Sequence, residues 1–125
     1  NSPELIAQNR DMVTINGALS VDLAGQVVAD TINGTQFSGI GGHEDFVSGP
    51  GLSAEGRSLI CVPSSTIVNG QVVSRVVPKL PSGSVVSTPR HQVDVIVTEA
   101  TSYLRGPSVI VAHGDIDDGW WRSQA

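Results

Sequence analysis

The chain predicts an α/β fold that is rich in β-structure, with a mixed sheet and short flanking helices. Three observations lead to this prediction. Apolar residues alternate with polar ones over several short segments, an Asn-Gly pair separates two of these segments, and a helix-start pattern opens the chain. The 125 residues are enough for one domain with one modest core, and no linker or internal repeat divides them. We therefore take residues 1–125 as a single domain.

The opening segment "NSPELIAQNR" predicts a short helix. Ser2 can cap it, Pro3 suits its first position, and Glu4 is favoured at its positive end. We expect Leu5 and Ile6 to face a core. A second helical turn is predicted in "TSYLRG", ended by Gly106 and Pro107, so helical structure is expected at both ends of the chain.

The segments between these ends predict strands. "MVTI", "ALSVDL" and "QVVADTI" are short strands separated by glycine-containing turns, and Val21 and Leu23 should share a buried face. "SLICVPSS" is almost continuously apolar, as in a strand covered on both faces. In "STIVNGQVVSRVVPKL", Asn69-Gly70 predicts a tight hairpin turn. "QVDVIVTEA" is the strongest strand, with its valines alternating with Asp94 and Ile96.

Composition and charge exclude several function classes. The charged fraction of 15% and apolar fraction of 39% differ from those of disordered chains. The net charge is −5 and the basic residues occur singly, which argues against a nucleic-acid or anionic-membrane surface. No apolar run reaches the length of a membrane span and no signal peptide is visible, so we expect a cytoplasmic protein. The single cysteine, Cys61, is expected to be a buried small side chain in a reducing compartment.

The segment "GIGGHEDF", residues 39–46, is the main candidate for a site. Glycines let a ligand approach backbone N–H groups closely, and successive N–H groups can form an anion-binding concavity. A plain turn between strands is the alternative. The spacing does not match the dinucleotide-binding pattern, and no regular helical pattern comes after it.

Two further sets of polar residues are candidates for a site. His43, Glu44 and Asp45 could bind a metal with His91 or His113, but adjacent residues rarely all point at one ion, and we expect no metal. Glu99 comes directly after an apolar strand, where a carboxylate is well placed either for a site or for the start of a helix.

The order of four motifs resembles a known family. "NSPELIAQN", "INGALSVDLAGQV", "NGTQFSGIGGHEDF" and "VSTPRHQVDVIVTEATSYLRG" are similar, in collinear order, to the C-terminal domain of the acetyl-CoA hydrolase / 4-hydroxybutyrate CoA-transferase family. The resemblance covers roughly residues 1–106 and leaves residues 107–125 as a divergent tail. It implies the α/β fold of the wider CoA-transferase superfamily.

The resemblance also implies an activity. Enzymes of this family move CoA between an acyl-CoA and a small carboxylate, or to water, through a glutamyl-CoA thioester. Coenzyme A is then a substrate, and no cofactor is expected. Each step passes through an oxyanion, which requires preorganised N–H donors. The family's nucleophilic glutamate lies upstream of the matched region, so the chain implies a missing N-terminal domain or a partner chain.

The same resemblance implies roles for individual residues. Asn1 and Gly42 match the groups that stabilise the oxyanion, and Gly39, Ile40, Gly41 and Gly42 match the CoA-binding loop. Glu99 lies in the family's "VTE" motif and is expected to support the site.

Two alternatives stay open on the sequence alone. The first is a regulatory module that binds CoA or another anion in the glycine loop without catalysis. The second is a β-rich interaction domain whose exposed apolar surface recruits a partner chain or a second copy of itself.

Overall fold

The computed structural model describes residues 1–99 and the backbone of two further strands, 102–106 and 109–113. It confirms the mixed, strand-rich α/β architecture with few and short helices. Most of the divergent tail that we predicted for residues 107–125 lies outside the described residues. The helices are α1 (Pro3–Ala7), α2 (His43–Leu52) and a 3-10 turn (Arg90–Gln92). The strands are β1 (Val13–Gly17), β2 (Ser20–Asp22), β3 (Val27–Val28), β4 (Thr31–Ile32), β5 (Thr35–Gln36), β6 (Arg57–Cys61), β7 (Ser65–Val68), β8 (Gln71–Ser74), β9 (Val76–Val77), β10 (Val95–Val97), β11 (Ser102–Gly106) and β12 (Val109–His113).

A five-stranded sheet in the order β1-β6-β10-β11-β12 forms the centre of the fold. Strands β1, β6 and β10 are parallel, and β11 and β12 add antiparallel strands at one side. In the parallel part, Gly17 is in register with Cys61, and Cys61 with Val97. The carboxyl ends of three strands therefore meet at one edge of the sheet, which is where ligands bind in open α/β sheets.

The core lies between this sheet, the helix α2 and a smaller sheet formed by β2, β3 and β9. Ile60 of β6 is fully buried, and Val47 of α2 packs in the same cluster. Other members of the cluster are Val21, Val27, Val62, Val93 and Ile96. The Thr14 hydroxyl of β1 donates to the carbonyl oxygen of Phe46, which ties the edge strand to α2.

A smaller sheet and two hairpins complete the described part. The smaller sheet has the order β3-β2-β9, and β4-β5 and β7-β8 are separate hairpins. The predicted hairpin at Asn69-Gly70 is confirmed: β7 and β8 pair in antiparallel register, and the two turn residues have φ of 50° and 74°. Positive φ at both central positions is the geometry that an Asn-Gly turn supplies.

The helical turn predicted in "TSYLRG" is wrong. Residues Ser102–Gly106 form strand β11, which pairs antiparallel with β10 on one side and with β12 on the other. Six residues carry too little local preference to decide between a helical turn and a strand. The unpaired edge of β10 provides backbone hydrogen bonds, and these favour a strand over a helical turn in this segment.

The expectation that helices lie only at the ends of the chain is also wrong. The ten-residue helix α2 begins directly after the glycine loop, where we expected no regular helix. Glu44 and Asp45 in its first turn are favoured by the helix dipole. The sequence did not predict this helix because it contains Gly49, Pro50 and Gly51, and glycine and proline are unfavourable inside helices. Pro50 is tolerated because it lies in the last turn of α2.

Three predictions of burial need correction. Leu5 is 63% exposed while Ile6 is buried against α2. Leu23 is 45% exposed, whereas Asp22 is buried because its carboxylate accepts hydrogen bonds from the backbone and side chain of Gln26. In β10 the buried residue is Ile96, and the flanking valines are only partly buried. Among the residues described, no helix has the length and apolarity that crossing a bilayer requires.

Candidate functional site

A cavity of about 340 Å³ lies at the carboxyl end of β1, beside the start of α2. Asn16 and Gly17 from the end of β1 form one wall. Most of the predicted loop residues form another wall together with Asn1, as the lining includes Asn1, Gly39, Ile40, Gly42, His43 and Phe46. The structure thus brings together four of the six residues to which the family resemblance assigned a role, although 38 positions separate Asn1 from Gly39.

Gly42 occupies the N-cap position of α2, with φ −88° and ψ 10°. Its carbonyl accepts the first helical bond, from the Phe46 N–H at 3.1 Å. Its own N–H makes no hydrogen bond with any described residue. The cavity is therefore lined by a residue whose backbone donor is free and sits at the positive end of a helix dipole, a combination that favours an anionic oxygen.

Asn1 lies against Gly42. A Cβ atom built on Gly42 would stand 2.0 Å from the Asn1 Nδ2 atom, so a side chain at position 42 would require the Asn1 amide to move. The Asn1 side chain makes no hydrogen bond within the described part of the chain. A second free polar group is thereby placed next to the Gly42 backbone.

The other loop residues differ in their surroundings. Gly39 lines the cavity, and a Cβ at this position would meet nothing within 4 Å, so packing in the free chain does not require a glycine there. Gly41 has φ +60° and is exposed beside the cavity without lining it. Ile40 lines the cavity and is 40% exposed.

His43 is the first residue of α2 and is buried, which the sequence reasoning missed. Its Nε2 lies 2.7 Å from the hydroxyl of Thr88, which is fully buried. Burial lowers the pKa of the His43 imidazole, against the opposing effect of the Glu44 and Asp30 carboxylates. The imidazole is therefore neutral at pH 7, and it connects the start of α2 to the segment before the 3-10 turn.

Asn16 is a further cavity residue that the sequence reasoning missed. Its Nδ2 atom is buried and has no hydrogen-bond partner among the described residues. A buried donor without a partner costs about 1–3 kcal/mol. The alternation along β1 was the available signal, since Asn16 shares the face of Thr14, which is buried against α2.

Glu99 does not line this cavity. Its carboxylate accepts hydrogen bonds from the Ser64 N–H at 2.8 Å and from the Ser64 hydroxyl. These two bonds hold the pKa of the exposed Glu99 carboxyl below its usual value. Glu99 comes after β10 at the same edge of the sheet as Gly17, two strands away, or about 10 Å at the usual strand spacing.

A metal centre is not formed by the residues described, because no three histidine, cysteine or acidic side chains among them come close enough to share an ion. Cys61 is a free thiol, partly buried at the end of β6. His43 is paired with Thr88 instead of with a carboxylate or a second imidazole.

Comparison with known proteins gives a consistent picture. Residues 1–110 match the acetyl-CoA hydrolase/transferase C-terminal domain. The chain is 39% identical to the probable butyrate:acetyl-CoA coenzyme A-transferase of Syntrophomonas wolfei, over 94% of the chain and 28% of that protein. It is 43% identical to the 4-hydroxybutyrate coenzyme A transferase of Clostridium kluyveri, over 87% of the chain and 25% of that protein. The crystal structure of RipA from Yersinia pestis superposes with a TM-score of 0.71 at 39% identity, over 86% of the chain and 24% of RipA.

A shorter match is of another kind. Over 39 residues, or 31% of the chain, the sequence is 59% identical to the diaminopimelate epimerase of Mycolicibacterium vanbaalenii, of which it covers 14%. A match of this length carries no argument for epimerase activity.

The main match covers most of this chain but a small part of each relative. The chain spans only about a quarter of the length of the CoA-transferases that it resembles. The family match nevertheless covers residues 1–110, which include both helices, the cavity and the parallel part of the central sheet. The chain belongs to the acetyl-CoA hydrolase/transferase family and corresponds to its C-terminal domain.

Proposed function

We propose that this chain carries one half of the active site of an enzyme that transfers CoA between an acyl-CoA and a small carboxylate, or to water. The observation that supports this most directly is the free Gly42 N–H at the start of α2, in a cavity that Asn1 also lines. Acyl transfer passes through tetrahedral oxyanions, and a preorganised N–H donor stabilises the negative charge as it develops.

In this proposal Gly42 donates its N–H to the thioester oxygen, and Asn1 donates from its side chain to the same oxyanion or to the next one. Gly39 and Gly41 leave room for the pantetheine arm, and Ile40 packs along it. The open space at Gly39 supports this role, because the free chain gives no reason of its own for a glycine there. Glu99 supports the site from the neighbouring edge of the sheet.

The remaining steps need a group from outside this chain. A glutamate of the upstream domain attacks the thioester carbonyl and expels the CoA thiolate, which leaves an acyl–glutamyl anhydride. The thiolate then attacks the glutamyl carbonyl, forms a glutamyl-CoA thioester and releases the acyl group as its carboxylate. The described residues provide hydrogen-bond donors for the oxyanion, and we assign the role of nucleophile to none of them. We expect that it binds CoA or an acyl-CoA and does not turn over alone.

Calorimetric titration of the chain with CoA and acetyl-CoA tests the binding half of the proposal. Gly42→Val should abolish saturable binding, because its side chain enters the cavity and displaces Asn1. The matched control is Gly51→Val on the same helix, where a Cβ meets nothing within 4 Å and binding should persist. Equal affinity of both variants for CoA would show that the glycine loop is not part of the binding site.

Complementation tests the catalytic half. The chain should restore CoA transfer when it is mixed with a 4-hydroxybutyrate CoA-transferase that lacks its own C-terminal domain. A module that only binds CoA would give binding without restored transfer. Rapid CoA exchange by the chain alone would contradict the claim that the nucleophile lies elsewhere.

A further inference from the structure

A second cavity, of about 350 Å³, lies between the smaller sheet and the two hairpins. It is separate from the first cavity: Ala29 lines the first, while Val28 and Thr31 on either side of it line the second. Its volume falls within the range of small-molecule sites, about 300–1,000 Å³. The proposed CoA chemistry assigns no role to this cavity.

Arg75 is the residue of this cavity whose side-chain interactions are incomplete. Of the described residues that line the cavity, only Arg75 carries a charge. Its Nη1 donates to the carbonyl oxygen of Leu19 at 2.7 Å, and its Nε is buried and has no partner in the part of the chain that the structure describes. No carboxylate of the described residues forms an ion pair with it. A partly buried guanidinium whose Nε has no partner among the described residues favours a negative group beside it.

The walls around Arg75 offer two kinds of contact. Hydroxyl groups of Ser20, Thr31 and Ser82 line the cavity and form no hydrogen bonds within the described part of the chain. Apolar side chains also line the cavity, including Leu19, Val28, Val73 and Val77. A cation is disfavoured by the guanidinium, and a purely apolar ligand would leave the guanidinium unpaired.

We propose that this second cavity binds a small anion carried on an apolar body, with Arg75 pairing the anionic group. The anionic oxygens accept from the guanidinium and from the free hydroxyls, while the apolar part lies against the valines and Leu19. Carboxylates and phosphates both fit the fork of guanidinium donors. The proposal does not depend on the CoA chemistry of the first cavity.

The test uses the whole chain, labelled with ¹⁵N and titrated with hexanoate, hexyl phosphate and hexanol while the backbone amide signals are monitored. We expect saturable shifts centred on Ser20, Thr31 and Arg75 for the anions, and much weaker shifts for uncharged hexanol. Tighter binding of hexanoate identifies a carboxylate site, and tighter binding of hexyl phosphate identifies a phosphate site.

Three variants decide whether Arg75 holds the anion. Arg75→Gln should weaken binding about tenfold or more, the usual effect of losing a hydrogen bond to a charged group. Arg57→Gln is the matched control, because Arg57 is exposed, also donates to a backbone carbonyl and lies outside the cavity. Ser82→Asp at the exposed rim should also weaken anion binding, because it adds a repelling negative charge and removes one of the hydroxyl donors.

Several results would overturn the proposal. They are the absence of saturable binding for both anions, equal binding of hexanol and hexanoate, and equal losses in the Arg75→Gln and Arg57→Gln variants. Unchanged affinity in Ser82→Asp would also count against it, and that variant serves as the second readout if Arg75→Gln proves unstable. Failure of this anion-binding proposal would not contradict the proposal that the first cavity binds CoA.

Discussion

The side-chain amide of Asn1 occupies the space next to Gly42 in which any other residue would place its Cβ, 2.0 Å from that position. A side chain at position 42 is thus opposed by a contact between two segments that are far apart in the chain. The same contact places the Asn1 amide beside the free N–H of Gly42. Its geometry gives a direct prediction about coupling between the two positions.

Gly42→Ala should destabilise the chain, since the new methyl group must displace the Asn1 side chain. In an Asn1→Ala background the same substitution should cost less, because the displaced group is gone. We expect a coupling free energy of about 1 kcal/mol in a double-mutant cycle measured by urea unfolding. Additive effects of the two changes would show that Asn1 does not hold this position in solution.

The contact between α1 and α2 predicts opposite effects of two neighbouring glycine substitutions. A Cβ on Gly49 would lie 2.5 Å from Ile6 Cγ2, so Gly49→Ala should destabilise the chain by about 1–3 kcal/mol through overpacking. Gly51→Ala meets no atom within 4 Å and should stabilise it by up to about 1 kcal/mol, because alanine prefers the helix. Denaturant midpoints of the two variants check this. Equal changes would contradict the packing of Ile6 on α2.

The buried His43 predicts a pH-dependent stability. Its pKa is lowered in the folded chain, so the unfolded chain binds the proton more readily. Stability from this group is present above the unfolded pKa of about 6.5 and declines as the pH falls below it. The slope reaches at most about 1.4 kcal/mol per pH unit for one proton.

Unfolding free energies measured in urea between pH 7.5 and 5.5 check the prediction. His43→Gln should flatten the slope, because it removes the titrating group, while hydrogen bonds from Ser87 and Gln36 hold the pKa of the Asp30 carboxyl below its usual value. A slope that persists unchanged in this variant would assign it to another group.

The Asn69-Gly70 turn predicts a cost for a side chain at the second position. Gly70 has φ +74°, which L-residues rarely adopt, so Gly70→Ala should destabilise the hairpin by about 1–2 kcal/mol. Gly39→Ala is the control for free-chain stability, since it has open space and no positive φ, and should be nearly neutral. Melting temperatures of both variants provide the measurement, and similar losses would argue against the turn.

Local rules were sufficient where a short segment decides its own conformation. The Asn-Gly pair specifies a tight turn through the φ values that these residues tolerate, and this turn brings β7 and β8 together. The start of α1 was also predictable from Pro3 and Glu4, although the Ser2 hydroxyl donates to the Glu4 carboxylate instead of capping a backbone N–H.

Local sequence rules failed where a contact with a distant segment of the chain determines the conformation. Strand β11 forms because β10 presents an open edge, which no property of "TSYLRG" reveals. Gly49 is compatible with α2 because it admits Ile6 of α1, and the glycine that weakens a helix locally is the residue that allows the contact.

By itself the sequence determined the class of fold, the family and the position of the glycine loop, because these depend on the order of residues along the chain. Only the tertiary structure decided that Asn1 meets Gly42, that the Gly42 N–H at the start of a helix has no partner among the described residues, and that His43 is buried on Thr88. The two side-chain contacts each join segments separated by about 40 residues. Such contacts arise from packing and burial across the sheet, to which local preference contributes little.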